Sequence, residues 1–419
     1  MTQSSAIKHI KARQILDSRG NPTVEVDLFL EDGTLGRASV PSGASTGSRE
    51  ALELRDHDPK LYQGKSVLKA VNFINTFLAP KLIGKNSLEQ KELDAFLCNL
   101  DGTNDKSKLG ANTLLALSLS FAQASSNFLK IPLYRYIREN LKCPFWNLSY
   151  SLPSPMMNII NGGAHAANGL DIQEFMIIPK VSTLFSENLR AGVEIFHTLK
   201  SLLKKQGAST NVGDEGGFAP DFRESREALD IISTAIEKAG YILNKNIFLS
   251  LDVAASEFFE KGFYQFEGKK LSSPQMIEAL ENLQKSYNFF SIEDGLAESD
   301  EEGWKEITKK LSQKTLLIGD DLFVTNPTIF KAGILKKQAN AILIKLNQIG
   351  TVSETLETLQ MALENNYKAI ISHRSGETAN TFISDLSVAT SCGFIKTGSL
   401  CRSDRVEKYN QLLRIEEIL

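Results

Sequence analysis

The sequence predicts an α/β protein in which a C-terminal parallel β/α barrel follows a smaller N-terminal α+β domain. Three observations carry this. First, short apolar runs in the C-terminal part end repeatedly in a polar or charged residue: IFLSLD at Asp252, FFSIED at Glu293, LLIGDD at Asp320, AILIK at Lys345, AIISH at His373 and GFIK at Lys396. Successive ends lie 41, 27, 25, 28 and 23 residues apart, with helix-period segments such as 351–365 between them. A buried strand with its returning helix takes roughly 30 residues, so the series reads as consecutive βα units of a barrel. Second, TVEVDLFL at 23–30 alternates as a half-buried strand does. Third, Pro132, Pro144, Pro153 and Pro155 crowd one window. Proline removes a donor and restricts its predecessor, which suits a connection between compact units. The expected domains are therefore 1–145 and 146–419.

In the first domain, EDGT at 31–34 supplies a turn and a second strand follows through Ser39. Helical patterns then dominate, as at 67–82 and 112–127. In the second, 172–178 and 211–215 are earlier strand candidates preceding the six-fold series.

Length and charge limit the function classes. At about 150 residues per domain, 419 residues suggest two or three domains. Forty-seven basic against 50 acidic residues leave a net charge of −3, with no general attraction to nucleic acid or anionic membrane. Cys98, Cys143, Cys392 and Cys401 are too scattered for a disulfide framework or zinc knuckle, and read as free thiols in a reducing compartment. Residues 1–10 lack the apolar core of a signal peptide, and Ser118, Ser120 and Gln123 interrupt the most apolar stretch, 114–124. The expectation is a cytoplasmic protein without a membrane span.

Barrel enzymes place their catalytic groups at the C-terminal ends of the strands, where the polar residues above fall. A lone strand-end aspartate is more often a helix cap than a ligand. Asp252, Glu293 and Asp320 end three successive strands, so closure brings them together, and like charges in one pocket call for a cation. An all-oxygen donor set suits magnesium. Lys345 reads equally as a salt bridge to Asp320 or Asp321 and as a general base. His373-Arg374-Ser375-Gly376 offers an imidazole, a guanidinium fork, a hydroxyl and backbone donors for a phosphate or carboxylate, with an Arg–carboxylate pair as the plainer alternative. Lys396 adds a second cation, so the substrate should be doubly anchored and multiply anionic. PSGASTGS at 41–48 suits a mobile lid or a long turn. NVGDEGGFAP at 211–220 sets Asp214 and Glu215 between glycines, as an acidic turn or a general acid. His165 and Glu174 are further candidates, whereas His9, His57, His197 and the 200–205 lysines read as surface or structural residues.

The motifs DSRGNPTVEV (17–26), PSGASTGSREALELRD (41–56), NVGDEGGFAP (211–220), GDDLFVTNP (319–327), SHRSGET (372–378), IKTGS (395–399) and RSDRVEKYNQLLRIEE (402–417) together resemble those of bacterial enolases. The resemblance runs nearly end to end. It implies an eight-fold barrel with a reversed second strand and first helix. It also implies a glycolytic lyase that reversibly dehydrates 2-phosphoglycerate to phosphoenolpyruvate, with two magnesium ions per site, the second arriving with substrate. By motif, Asp252, Glu293 and Asp320 resemble the ligands of the first magnesium, and Ser42 that of the second. Lys345 resembles the base and Glu215 the acid, their pKa values displaced toward each other. Arg374 and Ser375 resemble phosphate contacts, Lys396 a carboxylate contact, and His165, Gln173, Glu174 and His373 other substrate-pocket positions. A homodimer or larger homo-oligomer is implied, with Glu25 and Arg414 at its pairing positions. Ala167, Ala297, Glu301, Ala379 and Asn380 depart from the pattern. The rival reading is a catalytically idle relative serving as a binding or scaffold protein; the intact base, acid and carboxylates count against it.

Overall fold

The computed structural model describes residues 4–43, 47–141 and 148–419, so the boundary expected near residue 145 lies outside the described residues. The N-terminal sheet is antiparallel, in the order β1 (Ile7–Leu16), β2 (Pro22–Leu30), β3 (Leu35–Ser39). β2 is central, with one face fully buried and the other largely covered, Thr23 and Asp27 being buried and Glu25 and Phe29 partly so. Val24, Val26, Leu28 and Leu30 fill one face. On the other, Asp27 is covered by Arg13 of β1 and Arg37 of β3, whose Nε lies 2.5 Å from its carboxylate. An alternating strand can thus be largely buried when its neighbours supply counter-charges. β1 went unread because KHIKARQIL has no clean alternation.

The helical pattern at 67–82 is one continuous run: α1 (Leu68–Asn72), a π-helical stretch (Phe73–Leu78) and α2 (Ala79–Leu82). α3 (Gln90–Asp101), α4 (Ala111–Leu129) and α5 (Leu133–Asn140) complete the domain. α4 is buried almost all round, which explains its unbroken apolar character. It lies directly on β3 at Gly36, where a Cβ would come within 2.4 Å of Ala124 N and Ser120 O. Only glycine permits that approach.

The second unit closes a barrel in the order β10-β11-β12-β13-β14-β4-β5-β6. Its chain runs β4 (Ser154–Asn161), β5 (Glu174–Pro179), α6 (Phe185–Lys205), α7 (Ser225–Lys238) and β6 (Ile247–Asp252). A small sheet of β7 (Phe259–Glu260), β8 (Phe263–Phe266) and β9 (Lys269–Leu271) follows, then α8 (Ser273–Tyr287). Regular alternation continues through β10 (Ser291–Glu293), α9 (Glu301–Leu311), β11 (Leu316–Gly319), α10 (Pro327–Leu335) and β12 (Ala341–Ile344). It ends with α11 (Val352–Glu364), β13 (Lys368–Ser372), α12 (Phe382–Thr390), β14 (Phe394–Lys396) and α13 (Ser403–Glu416).

The barrel is not wholly parallel, because β5 runs antiparallel to both β4 and β6. The cause is the β4–β5 connection, which holds only a short 3₁₀ turn (Gly163–His165) and no helix to carry the chain back. β5 must therefore descend, and the pair α6 and α7 then takes the chain out and back before β6. Residues 211–215 are not a strand; they form a loop in which Val212 makes a single bridge to Phe218. The strand in that part of the barrel is β4, masked in SPMMNIIN by its buried amides Asn158 and Asn161. Met156, Met176, Ile178, Ile318, Ala341, Leu343 and Ile370 pack inside the barrel as their own core, so it is filled rather than open. Among the described residues no helix is long and apolar enough to cross a membrane.

Candidate active site

The barrel mouth collects the strand ends. Register sets Glu293 of β10 beside Asp252 of β6, and Ser372 of β13 beside Lys396 of β14. Because β5 is reversed, its first residue, Glu174, comes to the mouth and pairs with Asp252. His165, Gln173, Glu174, Glu215, Asp252 and Asp320 line one cavity with Lys345, His373, Arg374, Ser375 and Lys396. Ser372 lines it as well. All are buried. Glu215 gets there because its loop packs tightly on β4: a Cβ on Gly217 would sit 2.5 Å from Asn161 Oδ1.

Two lysines hold the carboxylates. Lys396 Nζ lies 2.8 Å from Asp252 Oδ2, 2.9 Å from Glu293 Oε1 and 3.2 Å from Glu174 Oε2. Lys345 Nζ is ion-paired with Asp320, whose other oxygen accepts from Gln348 Nε2 at 2.8 Å. Burial pushes Glu293 and Glu174 up; Asp252 adds to this for Glu293, as Glu215 does for Glu174. Asp320 is held low against burial by Lys345, and Lys345 is held high against burial by Asp320. The salt-bridge alternative for Lys345 is therefore what the structure displays.

Glu215 sits between imidazoles, 3.3 Å from His373 Nε2 and 3.7 Å from His165 Nδ1, while Asn158 Nδ2 donates to its Oε2 at 3.1 Å. Burial works to raise this carboxyl, but His373 and His165 hold it low. Burial also drives both imidazoles toward neutrality, His373 to about 4. The three groups are coupled, and with His373 driven toward neutrality its 3.3 Å approach to Glu215 is a close polar contact rather than a charge pair. Lys345 and Glu215 are displaced apart in this arrangement, not toward each other, because each is paired with a protein group of opposite preference.

Arg374 makes a forked pair with Glu50, at 2.8 and 3.1 Å, so the plainer alternative for this arginine holds here as well. Ser42 does not line the mouth. Its Oγ donates to Asp17 Oδ2 at 2.5 Å, and its backbone pairs with Gly376. Asp17, Glu50 and Asn158 were missed by sequence reasoning. The signal for Asn158 was an amide inside an apolar strand. Residues 44–46 of the expected lid lie outside the described residues. Ala167 and Ala379 are exposed, Ala297 is hydrogen-bonded through its backbone, and the Asn380 side chain accepts from Phe382 N at 2.8 Å; none lines the mouth.

The mouth can accommodate a hard divalent cation. Oxygens of Asp252 and Glu293 converge on one ammonium, which marks a cation-sized point between them. Asp320 does not share that point. Its carboxylate instead lies in a group with Asp294 and Asp321, whose backbone links run from Asp320 N and Asp321 N to the Asp294 side chain at 3.0 and 2.8 Å.

A barrel whose mouth gathers carboxylates, lysines, imidazoles and an arginine is an enzyme's architecture for an anionic substrate. Residues 7–137 match the family model for the enolase N-terminal domain, and residues 149–419 match that for the enolase C-terminal TIM barrel domain. The chain is 57% identical over 414 residues to the enolase of Legionella pneumophila strain Lens, covering 98% of this chain and 96% of that protein. It is 56% identical, with the same coverage, to the enolase of strain Corby. The chain belongs to the enolase family. Membership implies a metal cofactor.

Proposed function

We propose that this chain is a magnesium-dependent phosphopyruvate hydratase, reversibly dehydrating 2-phosphoglycerate to phosphoenolpyruvate in glycolysis and gluconeogenesis. The observation that carries the residue roles is the single buried cavity shared by Lys345, Glu215, Arg374, Ser375 and Lys396. Lys345 takes the proton from the carbon beside the substrate carboxylate. To do so it must first lose its ammonium proton, so the Asp320 carboxylate that now stabilises it must be engaged elsewhere. Glu215 donates a proton to the departing hydroxyl, and Asn158 and His373 then face the carboxylate it leaves. Lys396 contacts the substrate carboxylate, while Arg374 and Ser375 hold the phosphate, with Arg374 exchanging Glu50 for it. His165, Gln173, Glu174 and His373 line the remaining walls.

Asp252, Glu293 and Asp320 hold one magnesium, and Ser42 completes a second site when substrate is present. When bound, magnesium supplies positive charge against the charge that builds on the substrate carboxylate. The chain divides near residue 145, works in the cytoplasm and assembles as a homodimer or larger homo-oligomer. Arg414 is available for such a contact, with its side chain 60% exposed and Glu407 no nearer than 3.7 Å.

Turnover tests the reading. Phosphoenolpyruvate absorbance should rise when 2-phosphoglycerate and magnesium are added, and stop with a chelator. No product from folded, metal-loaded protein would favour a binding or scaffold role.

A further inference from the structure

Arg405 belongs to none of the roles above, yet it is fully buried beneath the mouth. Its Nη1 lies 2.5 Å from His373 Nδ1 and donates to Arg374 O at 2.5 Å. Its Nη2 donates to Ser375 O at 2.6 Å and Asp214 O at 3.3 Å, and its Nε lies 2.7 Å from Asp404 Oδ2. One side chain on α13 thus ties the loop carrying Glu215 to the loop after β13.

The contact with His373 has a chemical consequence. A guanidinium has five N–H donors and no acceptor. His373 Nδ1 must therefore present its lone pair. In the neutral imidazole the proton is then on Nε2, the atom that faces Glu215 Oε1 at 3.3 Å. With the opposite tautomer, Nε2 would accept and would retain the proton that Glu215 is meant to give away.

Resting on the functional reading above, we propose that Arg405 is a positioning residue for the acid step: it fixes His373 in the tautomer whose Nε2–H faces Glu215 Oε1, a 3.3 Å approach that closes into a hydrogen bond when the carboxylate forms. Together with Asn158 Nδ2, which donates to the other oxygen at 3.1 Å, this sets a donor facing each oxygen of the carboxylate formed as the hydroxyl departs. The proton-abstraction step at Lys345 does not depend on this arrangement.

The test begins with the wild-type magnesium-loaded enzyme, labelled with ¹⁵N at its 5 histidines. Nitrogen shifts of His373 should show bare Nδ1 and protonated Nε2; protonated Nδ1 with bare Nε2 overturns the proposal, and this measurement needs no variant. Arg405→Lys keeps the charge and loses the fork. It should lower dehydration about tenfold or more with KM little changed. Exchange of deuterium from solvent into the carbon beside the 2-phosphoglycerate carboxylate should continue. A variant that loses exchange and dehydration in parallel, or neither, overturns this assignment alone. A wild type that neither exchanges nor dehydrates overturns the functional reading, and the assignment with it.

Discussion

Replacing Lys396 with methionine removes the ammonium from three buried carboxylates. The contacts at 2.8, 2.9 and 3.2 Å are each worth roughly 5 kcal/mol before costs at an effective dielectric near 20. That sum is not the expected loss. Burial already pushes Glu293 and Glu174 up, so both can take a proton and discharge. What remains is close to one buried charge without a partner, which costs about 3–5 kcal/mol. If residues 149–419 unfold as a unit, unfolding entropy near 2 cal/mol/K per residue converts this to a Tm fall of about 5–9 °C. The sign with pH follows from the carboxyls. Their folded pKa values lie above the unfolded ones, so the variant's deficit is smallest below the unfolded values, grows as pH rises from the unfolded toward the folded values, and is fully present above them. Thermal unfolding in chelator, from acid to neutral pH, reads this directly, and magnesium should restore more stability to Lys396→Met than to the wild type. Equal Tm values at neutral pH in chelator would refute the electrostatic account of the mouth.

Three further outcomes are expected. Lys345→Ala should lower turnover by about a thousandfold or more while calorimetry still shows 2-phosphoglycerate and magnesium binding; near-normal turnover removes it as the base. Asp320→Asn, which loses the charge opposite Lys345, should weaken magnesium affinity, and an unchanged magnesium titration strikes it from the ligand set. Gly36→Ala forces a Cβ to within 2.4 Å of the α4 backbone and should cost about 1–3 kcal/mol. Turnover per folded molecule should be unchanged, and an unaltered Tm would contradict the packing argument.

The barrel was legible because six strands are short, mostly buried and lead into functional residues, so one pattern reports both fold and site. Reversal of β5 was not in the spacing: it follows from the absence of a helix between residues 161 and 174, and only the family resemblance implied it. β4 was missed because Asn158 and Asn161 break its apolar run, and those amides are there to meet Glu215 and its loop. Residue types predicted which side chains converge, but not their present partners. Lys345 with Asp320, Arg374 with Glu50 and Ser42 with Asp17 are pairings across distant segments. Arg405 was invisible for the same reason: nothing in RSDRVEKY says that its guanidinium reaches His373.

The most direct test is a crystal grown with manganese in place of magnesium and soaked with 2-phosphoglycerate. One anomalous peak should appear bounded by Asp252, Glu293 and Asp320, and a second on the Ser42 side of the substrate. Lys345 should be released from Asp320 and face the carbon beside the carboxylate. Manganese beside Asp294 and Asp321 instead, or Lys345 still bound to Asp320 with substrate in place, would contradict these assignments.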